Sequence, residues 1–232
     1  MEGIIMFIIL CLLIASFLCP IGKELKSQEI VWSDDFEQDT VGGPAKGWIV
    51  SSGTWFVAFD SSKVYRCEGG SGVSRVAMPV VPRGYEIQFR LKVTQVHAST
   101  FEVRLNIDNT MIYWYGWDVF GETKLFITNT ICNCPFVASS DFDLSTGIWY
   151  IFKVHLDIYG LASFKVWKSN EDEPDDWLLS TSLWGGREQG YLHLEVSNAD
   201  VDFDDIQVSA LATGVKLKSW GEIKNQYRLW NH

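Results

Sequence analysis

Between Val31 and Val208 the chain keeps returning to short runs in which apolar and polar residues alternate. The clearest is YEIQFRLKVT, with Tyr85, Ile87, Phe89, Leu91 and Val93 in one register and Glu86, Gln88, Arg90 and Lys92 in the other. A strand points successive side chains to opposite faces, so such a run has one buried and one wet face, as in an antiparallel sheet. Helical periodicity is scarce by comparison. The alternation predicts strands over 31–37, 55–60, 73–78, 85–94, 101–108, 111–118, 123–128, 149–158, 161–168, 177–183, 191–196 and 201–208. Turn residues separate them: Gly42-Gly43-Pro44, Gly69-Gly70-Ser71-Gly72, Pro82-Arg83-Gly84, Phe120-Gly121-Glu122, Tyr159-Gly160 and Gly185-Gly186, together with the charged run Asn170 to Asp176. Many short strands at regular spacing predict an all-β fold, a two-sheet antiparallel jelly-roll sandwich. Hydrophobic residues at 47%, with eleven tryptophans, are enough to fill its core.

The first and last of these runs, VWSDDFE and VDFDDIQV, each carry adjacent aspartates. If they pair as neighbours they close the sandwich and bring Asp34, Asp35, Glu37, Asp202, Asp204 and Asp205 near one another. Calcium takes about six to eight oxygen ligands, some of them backbone carbonyls, so this seam is a candidate structural Ca²⁺ site with Asp34, Asp35, Glu37, Asp204 and Asp205 as ligands. Strand alternation lets only one member of each aspartate pair serve a single site. The competing reading is a set of solvated charges that protect an edge strand from aggregation.

Residues 4–19, IIMFIILCLLIASFLC, are uncharged and almost wholly apolar. The run is long for a signal-peptide core and short for a spanning helix. Residues 1–22 are expected to be a cleaved signal peptide, with an uncleaved membrane anchor as the alternative, because Lys23 and Lys26 follow directly. Either places the protein outside the cell, secreted or on the surface. Residues 30–211 read as one domain, and 212–232 as a basic, aromatic tail, KLKSWGEIKNQYRLW at its centre, suited to contacts or self-association. A formal charge of −10 disfavours nucleic acid and anionic lipid as partners, and leaves the membrane reachable only through the leader. Beyond the leader stand Cys67, Cys132 and Cys134, an odd number that allows at most one internal disulfide, Cys67 with Cys132 or Cys134, or free buried thiols. Two thiols in C-N-C without a second pair do not make a zinc site.

The opening segment, DDFEQDTVGGPAKGW followed by SSGTWFVAFD, resembles the start of laminin G-like, concanavalin A-like jelly-roll domains. YEIQFRLKV resembles their central strand and FDDIQV their last, so the resemblance runs over about residues 31–209. It implies that Trp48 and Trp55 belong to the core. It also implies a superfamily of lectins, polysaccharide-binding modules, adhesive domains and some glycoside hydrolases; one fold with many functions leaves the site to decide.

The ligand candidate is the aromatic strand MIYWYGWD. Tyr113, Tyr115 and Trp117 share one register, with Arg104, Asn106 and Asp118 nearby in the expected sheet. Flat rings stack on the C–H faces of sugars while polar neighbours fix hydroxyls, so these six residues form a candidate saccharide platform; core filling is the alternative. For catalysis a glycosidase needs two carboxylates at fixed separation, and no E-x-D-x-E strand motif is present. His155 with Asp157 and His193 with Glu195 are the remaining acid–base pairs, and both read as ordinary strand neighbours. No nucleophile elbow, P-loop or H-E-x-x-H occurs. The expectation is a non-catalytic extracellular carbohydrate-binding or adhesion domain that takes polysaccharide or cell-surface glycan. A glycosidase-like enzyme on the same fold and a self-assembling surface protein are the alternatives.

Overall fold

The structure is a computed structural model and describes residues 29–78, 84–98, 100–107, 110–117, 122–129, 138–142, 144–157, 159–182 and 191–211. The leader 1–22, the tail 212–232, Asp118, Cys132 and Cys134 lie outside the described residues. The strands in chain order are β1 (Glu29–Asp34), β2 (Trp48–Asp60), β3 (Ser62–Ala77), β4 (Tyr85–Val96), β5 (Thr100–Ile107), β6 (Thr110–Trp117) and β7 (Glu122–Asn129). They continue as β8 (Ala138–Asp141), β9 (Tyr150–Leu156), β10 (Leu161–Lys168), β11 (Leu179–Ser182), β12 (Tyr191–Ser197) and β13 (Ala199–Ala210). All pair antiparallel, and no helix occurs among the described residues.

The expected sandwich is present, built from one hydrogen-bonded path. Its order is β11-β10-β9-β4-β13-β3-β12-β5-β6-β7-β8, with β1 beside β13 and β2 beside β3. The path curls until β8 and β11, its two ends, again come within 8 Å between Cα atoms. The inner faces enclose a single apolar cluster that draws Phe89 and Leu91 from β4, Phe152 and Val154 from β9, Leu192 and Leu194 from β12 and Phe203 from β13. Each such side chain contributes roughly 1.5–3 kcal/mol of burial. Trp48 and Trp55 lie in this core as expected, packed at a tilt against Tyr65 with 5.1 and 5.0 Å between ring centroids.

β3 carries the path from one half of the sandwich to the other. Its residues Tyr65 to Cys67 pair with β13, and Ser71 to Ala77 pair with β12. The glycine run 69–72, expected as a loop, therefore lies inside a strand. Gly69 and Gly70 take φ of +85° and +89°, which turns the strand, and the ladder to β2 shifts register there, from Glu68 opposite Thr54 to Val73 opposite Ser52. A Cβ on Gly72 would come within 2.4 Å of Trp55 Nε1 and 2.9 Å of the Cys67 sulfur. Close packing of strand on core, rather than looseness, requires glycine there. Asp200 pins the corner: its Oδ1 accepts the N–H groups of Gly69 and Gly70 at 2.9 and 3.2 Å and lies 2.8 Å from His97 Nε2.

The two terminal strands do pair, from Glu29 opposite Ala210 to Asp34 opposite Ile206. Each aspartate pair interrupts its strand. β1 ends at Asp34, short of the expected 37, because the Asp34 and Asp35 side chains accept the N–H groups of Phe36 and Glu37 and turn the chain. In β13 the ladder to β4 shifts between Asp204 and Gln207, with Asp205 at φ 49°. That bulge moves the inward register from Val201 and Phe203 to Ile206 and Val208, all fully buried.

Candidate functional site

The carboxylates expected to hold calcium are engaged elsewhere. Asp34 takes the Trp48 indole N–H at 2.8 Å and the Phe36 N–H at 3.0 Å. Burial raises its pKa against those two hydrogen bonds, which lower it. Glu37 accepts the Lys63 N–H at 2.9 Å. Asp204 takes Ser62 at 2.9 Å and the Arg90 guanidinium, and Arg90 also lies 2.7 Å from Asp205. Burial and the neighbouring Asp205 raise the Asp204 pKa, while Arg90 opposes them. Among the described residues no group of three or more His, Cys, Asp or Glu side chains is arranged to hold a metal ion. The physical reason is local: turn and bulge spend the carboxylates on backbone N–H groups and on cations of neighbouring strands.

Asp202 departs from the reading of solvated edge charge. It is fully buried, bound by Arg66 at 2.6 and 3.0 Å, with Lys92 at 3.3 Å. Lys92 continues the network to Asp60 at 2.6 Å, and Trp149 covers it, with Lys92 4.8 Å and Arg90 5.0 Å from its ring centre. β13 is a central strand, and its outer face is roofed by the stems of these cations.

Beyond β4 and β9 the outer face is roofed by residues 169–178, the stretch containing the expected charged loop. Glu173 bridges Lys153 and Lys165 at 2.7 and 2.6 Å, and the Trp177 ring lies 4.8 Å from the Lys165 ammonium and 5.6 Å from the His155 ring. His155 Nδ1 sits 3.7 Å from Glu86, while Asp157 accepts the N–H groups of Tyr159 and Leu161 at 2.7 and 2.8 Å. The His155–Asp157 pair weighed from sequence is thus divided between a roof and a turn.

The open face lies on the other half, across β3, β12 and β5. Leu192, Leu194 and Val196 of β12 point into the core, which leaves Tyr191, His193 and Glu195 on the outside. Tyr191 is 46% exposed, a large ring left on solvent-facing sheet. Arg75, opposite His193 in the ladder, places its guanidinium carbon 5.3 Å from the Tyr191 ring centre, and the His193 ring meets the same ring edge-on at 6.1 Å. Burial and the Arg75 charge lower the His193 pKa against a smaller opposing effect of Glu195, so the imidazole is neutral at neutral pH. Next along the ladder Arg104 faces Glu195 at 2.9 Å and also bonds Glu102.

The ladder continues into the aromatic strand. Arg104 pairs with Tyr113, Glu102 with Tyr115 and Thr100 with Trp117, while Asn106 pairs with His193 on the other side. These are backbone positions; the side chains of Asn106, Tyr113, Tyr115 and Trp117 lie outside the description. Of the expected platform, Arg104 stands on the open face. Arg75 and Tyr191 were missed, although the strand YLHLEV carries the signal: its aromatic first residue falls in the register of His193 and Glu195 rather than of the core leucines.

Cys67 is a buried thiol, unlinked among the described residues, and burial pushes its pKa up to about 12.

No protein-family model and no curated protein sequence matches the chain. Solved structures share its shape. The CBM2 module of the evolved Dit of Lactobacillus casei BL23 phage J-1 superposes with a TM-score of 0.60 at 9% identity, over 78% of this chain and 95% of that one. The exoplasmic/lumenal domain of VIP36, solved bound to Ca²⁺ and Man3GlcNAc, does so at 0.57 and 11% identity, over 74% and 89%. A carbohydrate esterase of the Shiga toxin-encoding bacteriophage phi24B does so at 0.54 and 14% identity, over 80% and 100%. The chain also matches the botulinum neurotoxin serotype D binding domain, at a TM-score of 0.54 and 10% identity, and spans only 48% of its length. At these identities the likeness establishes the antiparallel sandwich, a shape that binding modules and enzymes share.

Proposed function

We propose that this protein is a non-catalytic glycan-binding domain that works outside the cell and holds sugar on the open face of β3, β12 and β5. The observation that carries the reading is Tyr191, a half-exposed ring set between a guanidinium and a neutral imidazole on the outer sheet face. A ring offers a flat apolar surface for the C–H face of a pyranose; Arg75 donates and His193 donates or accepts hydrogen bonds to hydroxyls. The face extends to Arg104 and to the ladder positions of Tyr113, Tyr115 and Trp117, which gives it the length of an oligosaccharide site. The fold likeness to a CBM2 module and to a domain solved with Man3GlcNAc supports the reading. The apolar leader supports the compartment.

The test is a glycan array probed with the full chain, followed by titration of a bound glycan. Tyr191→Ala should weaken binding at least about tenfold, ~1.4 kcal/mol, and leave the melting temperature within a degree or two, since the ring is not part of the core. An array without a hit overturns the reading. So does a Tyr191→Ala protein that binds like the parent, and turnover of the bound sugar would move the protein to the enzymes of this fold.

A further inference from the structure

We infer that the sugar taken by this face is acidic, a pyranose bearing a carboxylate, and that Arg75 is its anion contact. The inference rests on the glycan reading and narrows it to a substrate class.

Three of the four described arginines are paired with carboxylates. Arg66 holds Asp202, Arg90 holds Asp204 and Asp205, and Arg104 holds Glu102 and Glu195. Arg75 alone among the described arginines holds no carboxylate, in a chain whose formal charge is −10. Its Nε is buried and has no hydrogen-bond partner, a state that the Arg104 Nε shares, so it is the missing carboxylate that sets Arg75 apart. A buried donor without an acceptor is unfavourable, and the planar guanidinium fork matches a carboxylate better than it matches hydroxyls.

The surroundings suit an anion too. The acidic groups of the same face, Glu195 and Glu102, both bond Arg104, which offsets one of their two charges, and Arg75 supplies the second positive charge of the face. His193 is neutral and offers a hydrogen bond beside the carboxylate. Tyr191 supplies the stacking surface next to the cation, so a carboxylated pyranose would meet both groups at once.

Uronic and sialic acids share this chemistry, and the experiment separates them. The immobilised full chain is titrated with tetragalacturonate and its neutral counterpart, α-1,4-linked galactotetraose, and with 3′-sialyllactose and its neutral counterpart lactose. One acidic ligand should bind at least about tenfold tighter than its counterpart, and the preference should shrink in high salt. Arg75→Gln should abolish the preference at unchanged melting temperature. Arg75→Lys, which keeps the charge and loses the fork, should retain only part of it, and it decides the matter if the Gln variant fails to fold. Equal binding of acidic and neutral ligands, or a preference that survives Arg75→Gln, overturns the inference and leaves the glycan reading standing. No binding of any of the four, together with an empty array, removes both.

Discussion

Single residues in this sandwich are distinguished by what compensates their charge. Asp202 and Glu195 are both strand carboxylates, yet one is fully buried and the other stands on the open face with a side chain 38% exposed. Asp202 is held by Arg66 and Lys92, whose side chains are 25% and 9% exposed. Removing one partner of a buried pair leaves uncompensated charge behind, which costs about 3 kcal/mol at the lower end of the usual range. Asp202→Ala should therefore lower unfolding stability by about 3 kcal/mol in urea titrations, whereas Asp205→Ala, 48% exposed, should lie within about 1 kcal/mol of the parent. A loss below ~1 kcal/mol for Asp202→Ala would return the seam to solvated edge charge. Cys67 makes the same point for a thiol: burial keeps it protonated and unreactive.

At the scale of elements, the loops of this chain do as much structural work as its strands. The 169–178 segment contains the run Asn170 to Asp176, expected as a charged loop, and Trp177-Leu178, expected to open a strand, yet it roofs β9 and β10 and hands on to β11 through the Leu178 N–H to Phe164 O bond of 2.9 Å. Its anchor is Glu173. Burial there raises the carboxyl pKa, but hydrogen bonds and charge from Lys153 and Lys165 outweigh it, and the net shift is downward. An acid with a lowered folded pKa contributes stability above its unfolded value of about 4.3, and the contribution is lost as pH falls through the folded value. The hydrogen-exchange protection factor at Leu178 should accordingly drop once the pH goes below the ordinary carboxylate range. Glu173→Gln should show the lower protection already at neutral pH. Unchanged protection in that variant would mean that Trp177 and the strand bond hold the roof without the ion pairs.

For the whole molecule, closure decides what the two acidic segments mean. They meet as expected, but closing the sandwich puts Asp34 and Asp35 in a turn, Asp205 in a bulge, and Asp202 and Asp204 under cations. Calcium should therefore not act through this seam: any effect of Ca²⁺ on the melting temperature of EDTA-stripped protein is expected to be the same in Asp204→Ala as in the parent. A calcium-dependent rise that Asp204→Ala removes would restore the metal site. The bulge was legible in hindsight, since the apolar register of VDFDDIQV changes parity across its aspartates. The glycine corner was not legible, because a strand that bends through close packing and a flexible loop use the same residues. The short β8 was likewise invisible, as ASSD has no alternation to detect.

The sequence by itself determined the fold class, most of the strands and the buried places of Trp48 and Trp55, because these depend on a period of two and on local turn chemistry. Tertiary structure alone decided which carboxylates are neutralised, which arginine is left without one and which face stays open. Charge compensation joins residues as far apart as Arg66 and Asp202. Coverage of a face depends on segments that fold back over it, and neither relation leaves a local trace in the chain.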